Sequence, residues 1–200
     1  VILVDVKQGS DEWLCARLGI PTASQFHRIV TPTGKPSSAA AGYALELIAE
    51  RMIGEPLGGA STGMMARGSD LESEAVAYYE LMRGAETAPG GFVTDDLGRW
   101  GASPDRLIGD DGLLEIKCPS PAVHVGYILG YEAEKYRPQV QGQLFVTGRA
   151  WCDWMSYHPT MRPAIIRHER DDAFIDALQG ALERFSAQLA DFTARVNQRG

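Results

Sequence analysis

The order of predicted elements defines an α/β domain with a central mixed sheet flanked by helices. Three observations carry this. Helical spacing of apolar residues dominates the N-terminal part of the chain and its last stretch, from Asp172 onward. Short apolar runs bounded by Gly, Pro and Asp crowd residues 89–117 and return at 150–169. One or two helices separate those strand regions. Two hundred residues suit a single domain, 1–200, with a sizeable core.

In chain order, Val1 to Val6 is a short strand or an extended arm. A helix opens at Gln8–Trp13, capped by Ser10 or Asp11, with Asp11 and Glu12 complementing its dipole and Gly19 ending it. Pro21–Ser24 opens a second helix, to about Val30, with Phe26, Ile29 and Val30 on its apolar face. Thr31 to Ser38 is a loop, and Lys35 reads as a surface lysine. Ser37 or Ser38 caps a long helix from about Ala39 to Ile53, with Tyr43, Leu47, Ile48 and Met52 as its core stripe. After a Gly-rich loop, 54–63, a helix runs from about Ser69. Its face is Leu71, Ala75 and Tyr78, and Glu74 and Glu80 are expected to be solvated.

Pro89–Thr94 and Arg99–Ala102 are short strands around the turn Asp95–Gly98, whose Asp95 and Asp96 are explained by turn chemistry. They are expected to extend the sheet of a hairpin that follows, Arg106–Ile108, Gly109–Gly112 and Leu113–Ile116. Residues two apart in a strand share a face. Glu115 and Lys117 therefore point one way, and Leu114 and Ile116 the other. Asp105, just before the first strand, returns beside Glu115. Two converging carboxylates make a hard, all-oxygen site suited to Mg²⁺ or Mn²⁺. Lys117 would stand next to metal-bound water, a set suited to phosphodiester hydrolysis. A lone Glu-x-Lys is usually a solvated strand face. The Ser-Pro-Asp lead-in, the hairpin and the apolar flanks together outweigh that reading.

Pro121 opens a further helix to about Leu129. His124 on it has no partner at ligand spacing and reads as structural or near DNA. Glu132–Lys135 is a charged connection, and Tyr136–Val146 is helical. Ala150–Tyr157 and Arg162–Glu169 are strands joined through His158–Met161. Trp151 and Trp154 fit base stacking, but core packing is favoured. From Asp171 or Asp172, Phe174, Leu178, Leu182, Phe185, Leu189, Phe192 and Val196 form the stripe of a long helix expected to pack on the sheet.

Net charge is −7, which argues against a general nucleic-acid coat protein but not against a nuclease, since catalytic carboxylates add negative charge. A DNA path would be locally basic. Cys15, Cys118 and Cys152 lack metal-ligand spacing and read as small buried hydrophobes. With no signal-peptide pattern and no run of ~18 apolar residues, a cytoplasmic protein without membrane contact is expected.

Ser103-Pro104-Asp105 followed by Leu114-Glu115-Ile116-Lys117-Cys118-Pro119 resembles the PD-(D/E)xK nuclease motif in the form used by phage lambda exonuclease and its viral-recombinase relatives. Arg17-Leu-Gly-Ile-Pro-Thr-Ala-Ser24 resembles the segment whose Arg and Ser bind the terminal 5′-phosphate in that family. An Arg fork suits phosphate. Gly68-Ser-Asp-Leu-Glu72 matches the Gly-x-x-x-Glu that lends a carboxylate to the active centre. Met65 stands where the family has an apolar residue that pries open the duplex end. Gln139-Val-Gln141 resembles a Gln-x-Gln whose first Gln lies by the catalytic Lys.

The resemblance implies a restriction-endonuclease-like core and a 5′-to-3′ double-strand DNA exonuclease that leaves a 3′ overhang for strand annealing. It implies Mg²⁺, with Mn²⁺ as substitute, on Asp105, Glu115, the Ile116 carbonyl and Glu72, the last directly or through water. Lys117 and Gln139 would complete the catalytic set, with Arg17, Ser24, Ser103 and Met65 on the DNA. It further implies a homotrimeric ring around DNA and a single-strand annealing protein as partner. In a ring, topology keeps DNA on a net-acidic chain. The alternatives are a structure-specific endonuclease of the same superfamily and a non-catalytic DNA-binding recombination accessory protein. Related iron–sulfur nucleases are disfavoured, because four suitable cysteines are missing.

Overall fold

The computed structural model describes residues 1–57, 62–131 and 133–199, and for residues 62–70, 133 and 199 the backbone alone. The chain opens with β1 (Ile2–Val4) and α1 (Asp11–Arg17). Ser10 caps α1, its Oγ accepting the Trp13 N–H at 3.2 Å. A 3₁₀ helix over Ala23–Arg28 replaces the second expected α-helix. Then come α2 (Ala40–Ile53), closed by Gly54 in the left-handed region, and α3 (Thr62–Arg83). The latter starts at Thr62, ahead of the expected Ser69; no proline interrupts residues 62–68.

The strands β2 (Thr87–Pro89), β3 (Phe92–Thr94), β4 (Gly101–Ala102), β5 (Arg106–Ile108) and β6 (Gly112–Lys117) follow. After them run α4 (Pro121–Ile128), α5 (Arg137–Thr147), β7 (Trp151–His158), β8 (Met161–Glu169) and α6 (Asp172–Arg199). The main sheet has the order β2-β5-β6-β7-β8. Only its β6–β7 pair is parallel, so the expected mixed sheet is present. The parallel crossover is spanned by α4 and α5, as a parallel connection of this length requires.

One expectation is corrected here. Strands β3 and β4 do not extend the hairpin sheet but join β1 in a separate three-stranded sheet. The cause lies at Gly90-Gly91. A Cβ on Gly90 would stand 1.8 Å from the Pro104 carbonyl oxygen, and Gly91 has φ +62°. The chain therefore turns sharply between β2 and β3 and changes sheet.

On one side of the main sheet, Ala75 and Tyr79 of α3 pack on Leu114, Ile116, Met155 and Tyr157. On the other, Tyr127, Val140 and Leu144 cover Leu113, Cys152 and Trp154. The α6 stripe from Phe174 to Leu189 is buried as expected, but against α2, α5 and the 3₁₀ helix rather than on the main sheet. Two stripe residues are also corrected. Met52 is 66% exposed, on the last turn of α2 beyond its buried stripe. Tyr79, four residues after Ala75, takes the inward place expected of Tyr78, which lies at the rim beside the Tyr157 ring.

Gly142 lets α5 approach the 3₁₀ helix closely: a Cβ there would meet the Phe26 ring at 2.4 Å. That approach brings Ser24 beside Gln139 and closes one wall of the cavity described next.

Candidate active site

Strand β6 builds the centre of the site through its alternation. Leu114 and Ile116 enter the core beneath α3, while Glu115 faces α5 and is 2% exposed. Lys117, on the same face, places Nζ 2.5 Å from Glu115 Oε1. Asp105 ends the loop into β5. Its Oδ2 accepts the Ile116 N–H at 2.6 Å, and Gln8 donates to its other oxygen at 3.4 Å.

Helix α5 supplies two amides one turn apart. Gln139 Nε2 donates to Glu115 Oε1 at 2.5 Å, and Gln143 Nε2 donates to Oε2 at 2.6 Å. Gln141 points elsewhere: it donates to the Glu169 carbonyl and accepts the Asp171 N–H.

A second group comes from the N-terminal part of the chain. Arg17 Nη1 donates to Ser103 Oγ at 2.9 Å, as does Trp13 Nε1. The guanidinium lies 4.0 Å from the Trp13 ring centre, a cation–π contact that fixes its plane. Thr22 links Arg17 to Ser24 through Oγ1, at 3.4 and 3.3 Å. Both groups line one cavity of about 190 Å³. Seven sequence-predicted residues meet there: Arg17, Ser24, Ser103, Asp105, Glu115, Lys117 and Gln139. Gln8, Trp13 and Gln143 complete its lining.

The cavity sets two carboxylates, Asp105 and Glu115, against two cations, Lys117 and Arg17. Burial, then the nearby Glu115 carboxylate, pushes the Asp105 carboxyl well above the usual range, although the Ile116 N–H and Lys117 oppose this. Burial disfavours the Lys117 ammonium, but Glu115 and Asp105 more than offset it and hold its pKa above the ordinary lysine value. Burial pushes Arg17 down to about 10, which still leaves it charged at neutral pH. Glu72 does not line the cavity, yet it senses it: burial and then Glu115 raise its carboxyl, while Lys117 and Arg106 act against the rise.

Among the described residues no three or more His, Cys, Asp or Glu gather to hold a metal ion. The donors that face the cavity are two carboxylates whose mutual repulsion a cation would relieve. Mg²⁺ fits such a set, since it commonly takes one or two carboxylates and completes its shell with water and phosphate.

Other candidates are placed away from this chemistry. His124 is fully buried, with Nδ1 2.7 Å from Ser156 Oγ and Nε2 3.0 Å from the Arg162 carbonyl, and it pins α4 to β7 and β8. Trp154 is core, packed on Tyr127 and Tyr136. Trp151 carries the Arg167 guanidinium on its ring. Glu80 is not simply solvated, because it accepts the Thr87 N–H and Oγ–H, and Glu74 accepts the Tyr157 hydroxyl at 2.6 Å. Asp95 binds Arg99 within its turn. The Met65 side chain lies outside the described residues. Cys118, beside Lys117, is pushed up to about 11 by burial and stays a thiol.

Sequence reading missed Gln8, Trp13 and Gln143. Two of them had a signal, a position four residues from a predicted site residue on the same helix: Gln143 after Gln139, and Trp13 before Arg17. Gln8, ahead of α1, had none.

The mixed sheet, its flanking helices and a cavity of two carboxylates, a lysine and an arginine are shared with a known class of protein. Residues 12–150 match the YqaJ-like viral recombinase domain, and the chain belongs to that family. The alkaline exonuclease LHK-Exo of Laribacter hongkongensis has the same architecture, with a TM-score of 0.84 and 34% identity over 95% of this chain and 97% of that one. The same enzyme in complex with dAMP gives 0.84 and 35%, with the same coverage. A phage-related exonuclease of Haemophilus somnus shares the fold, with a TM-score of 0.67 and 14% identity over 86% of this chain and 95% of its own. No curated protein matches the chain. No helix among the described residues is long and apolar enough to cross a membrane.

Proposed function

We propose that the chain is an Mg²⁺-dependent exonuclease acting on double-stranded DNA ends, which hydrolyses the 5′-ended strand and leaves a 3′ overhang for recombination by strand annealing. One observation carries this reading: a single small cavity is lined both by Asp105, Glu115, Lys117 and Gln139 and by Arg17, Ser24 and Ser103. The first group suits a scissile phosphodiester and the second a terminal phosphate. Membership of the recombinase family supports it, as does the likeness to an alkaline exonuclease that binds dAMP.

Each residue then has a role. The Arg17 fork and the Ser24 and Ser103 hydroxyls bind the terminal 5′-phosphate. Asp105, Glu115 and the Ile116 carbonyl hold Mg²⁺, which Mn²⁺ replaces, and Glu72 contributes through water. When bound, the ion supplies Lewis-acid polarisation of the phosphate and a lowered pKa for water. Lys117, held protonated by its carboxylate neighbours, stabilises charge that develops on the phosphoryl oxygens. Gln139 donates an amide N–H to a phosphate oxygen without competing for the ion. Met65 acts as the wedge at the duplex end. A homotrimeric ring around DNA and a single-strand annealing protein complete the proposal.

The test is digestion of linear duplexes labelled at one end, with and without a 5′-phosphate, beside a covalently closed circle. The expected result is Mg²⁺-dependent release of mononucleotides from the 5′-ended strand, faster with the phosphate, and an intact circle. Cleavage of the circle would favour the structure-specific endonuclease. No metal-dependent hydrolysis of any substrate would leave only the DNA-binding accessory role.

A further inference from the structure

Glu115 is held at both oxygens, and the two holds differ in kind. Oε1 meets Lys117 Nζ and Gln139 Nε2, both at 2.5 Å. Each of these side chains borders the open cavity, and Lys117 keeps 27% of its side-chain surface exposed. Oε2 meets Gln143 Nε2 at 2.6 Å, and Gln143, though it also lines the cavity, is 1% exposed. The other end of that carboxamide, Oε1, is buried without a hydrogen-bond partner.

These facts set an order of release. Lys117 and Gln139 can leave Glu115 Oε1 and re-pair with a phosphate or with water. Gln143, with 1% of its surface exposed, has little access to either. If its N–H left Oε2, a second buried group of the same amide would lose its partner, and each such loss carries a full desolvation cost. The neutral amide also adds no charge to a cavity that already holds two carboxylates.

We infer that Gln143 is a positioning residue that reserves Glu115 Oε2, leaves Oε1 as the oxygen offered to a cation, and so selects Mg²⁺ or Mn²⁺ over Ca²⁺. The inference rests on the proposed role of Asp105 and Glu115 in holding a divalent cation. Mg²⁺ is small, keeps near-ideal octahedral geometry and retains water, so one oxygen per carboxylate serves it well. Ca²⁺ takes six to eight oxygens and gains from carboxylates that offer both. A carboxylate with one oxygen tied to a buried amide favours the smaller ion.

The experiment reads Mn²⁺ binding to the full chain by electron paramagnetic resonance, with Mg²⁺ and Ca²⁺ as competitors. It compares wild type, Gln143→Met, Gln143→Asn and Gln141→Met, with circular dichroism to confirm folding. Gln143→Met removes the donor at similar volume. Gln143→Asn keeps a polar group but withdraws it from Glu115, and it decides the matter if the Met variant does not fold. Gln141→Met alters an equally buried amide on the same helix that faces Glu169 and Asp171 instead. In both Gln143 variants the preference for Mg²⁺ over Ca²⁺ is expected to fall about tenfold, the lower range for a lost outer-shell partner. In Gln141→Met it is expected to stay. An unchanged preference in a folded Gln143 variant overturns the inference while the cation site stands. Wild-type protein that binds none of these ions, or Asp105→Asn protein that binds them equally well, overturns the cation site itself and the inference with it.

Discussion

Glu115 on β6 and Asp153 on β7 are both almost wholly buried, on opposite faces of the same sheet, and their surroundings differ in one decisive way. Burial would raise the Asp153 carboxyl, but Arg167 at 2.7 and 3.0 Å and the Tyr79 hydroxyl at 2.6 Å outweigh it and hold the group below the usual aspartate range. Asp153 is thus fully answered by fixed partners, and it ties α3 and β8 to the centre of the sheet. Glu115 has one lysine and two neutral amides, and a second carboxylate, Asp105, shares its cavity. The first acid is built to stay paired. The second shares its cavity with a like charge, and the cations there, Lys117 and Arg17, also border open space where a ligand can reach them; that contrast separates a structural acid from a ligand-binding one.

The largest expected effect falls at Glu115 and its cavity. Lys117→Ala should lower nucleotide release from linear duplex by about a thousandfold, the upper range for loss of one preorganised charge-stabilising donor. DNA binding, read by gel shift, should persist. Unchanged hydrolysis would remove Lys117 from the chemistry. The surroundings of Asp153 should respond in stability instead. Asp153→Ala leaves the Tyr79 hydroxyl without its acceptor and frees Arg167, which is already half exposed, so the loss should be about 2 kcal/mol rather than the larger cost of a fully buried pair. Urea unfolding at neutral pH measures it. A lowered carboxyl pKa contributes stability that is present above the unfolded-state value, about 4, and is lost as pH falls through the folded value. The deficit of Asp153→Ala should therefore shrink below about pH 4, and a deficit constant with pH would contradict this ion-pair account.

How far the sequence revealed these two regions follows from the range of their contacts. Glu115, Lys117 and Asp105 were legible because a hairpin brings them together by strand alternation and a short turn, which are local rules. Arg17, Ser24 and Gln139 were legible only through resemblance, since nothing local says that they meet Glu115. Asp153 went unmarked, because its partners Arg167 and Tyr79 lie 14 and 74 residues away and neither forms a motif with it. Gln143 was hidden by the step-of-two run Gln139, Gln141, Gln143, which suggests one equivalent set until the helix puts the first and last on one face. The change of sheet at Gly90-Gly91 was hidden because Pro89–Thr94 reads as one short strand, and only the nearby Pro104 carbonyl makes the glycine obligatory.

A smaller effect sharpens the comparison from the other side. Asp105→Asn can keep the hydrogen bond to the Ile116 N–H while removing one of two like charges that share the cavity. Measured without divalent cation, the variant should be more stable than wild type by about 1 kcal/mol, the usual sign when a functional acid is neutralised. It should also lose hydrolysis. A loss of stability would mean that Asp105 is a structural partner of β6, like Asp153 in its own setting.

The smallest effect belongs to a pair with good geometry in the wrong place. Arg28 meets Glu46 through two bonds of 2.6 and 2.7 Å, distances as short as those around Asp153. The Glu46 side chain is 47% exposed, however, so water and salt answer the charge almost as well as the arginine does. Glu46→Gln should cost about 0.5 kcal/mol or less, and that cost should fade at high salt. Arg28→Ala should cost more, because the guanidinium also lies 4.6 Å from the Tyr43 ring centre and that contact does not depend on Glu46. Equal costs for Glu46→Gln and Asp153→Ala in the same urea series would show that bond length, and not burial, separates the two kinds of acid.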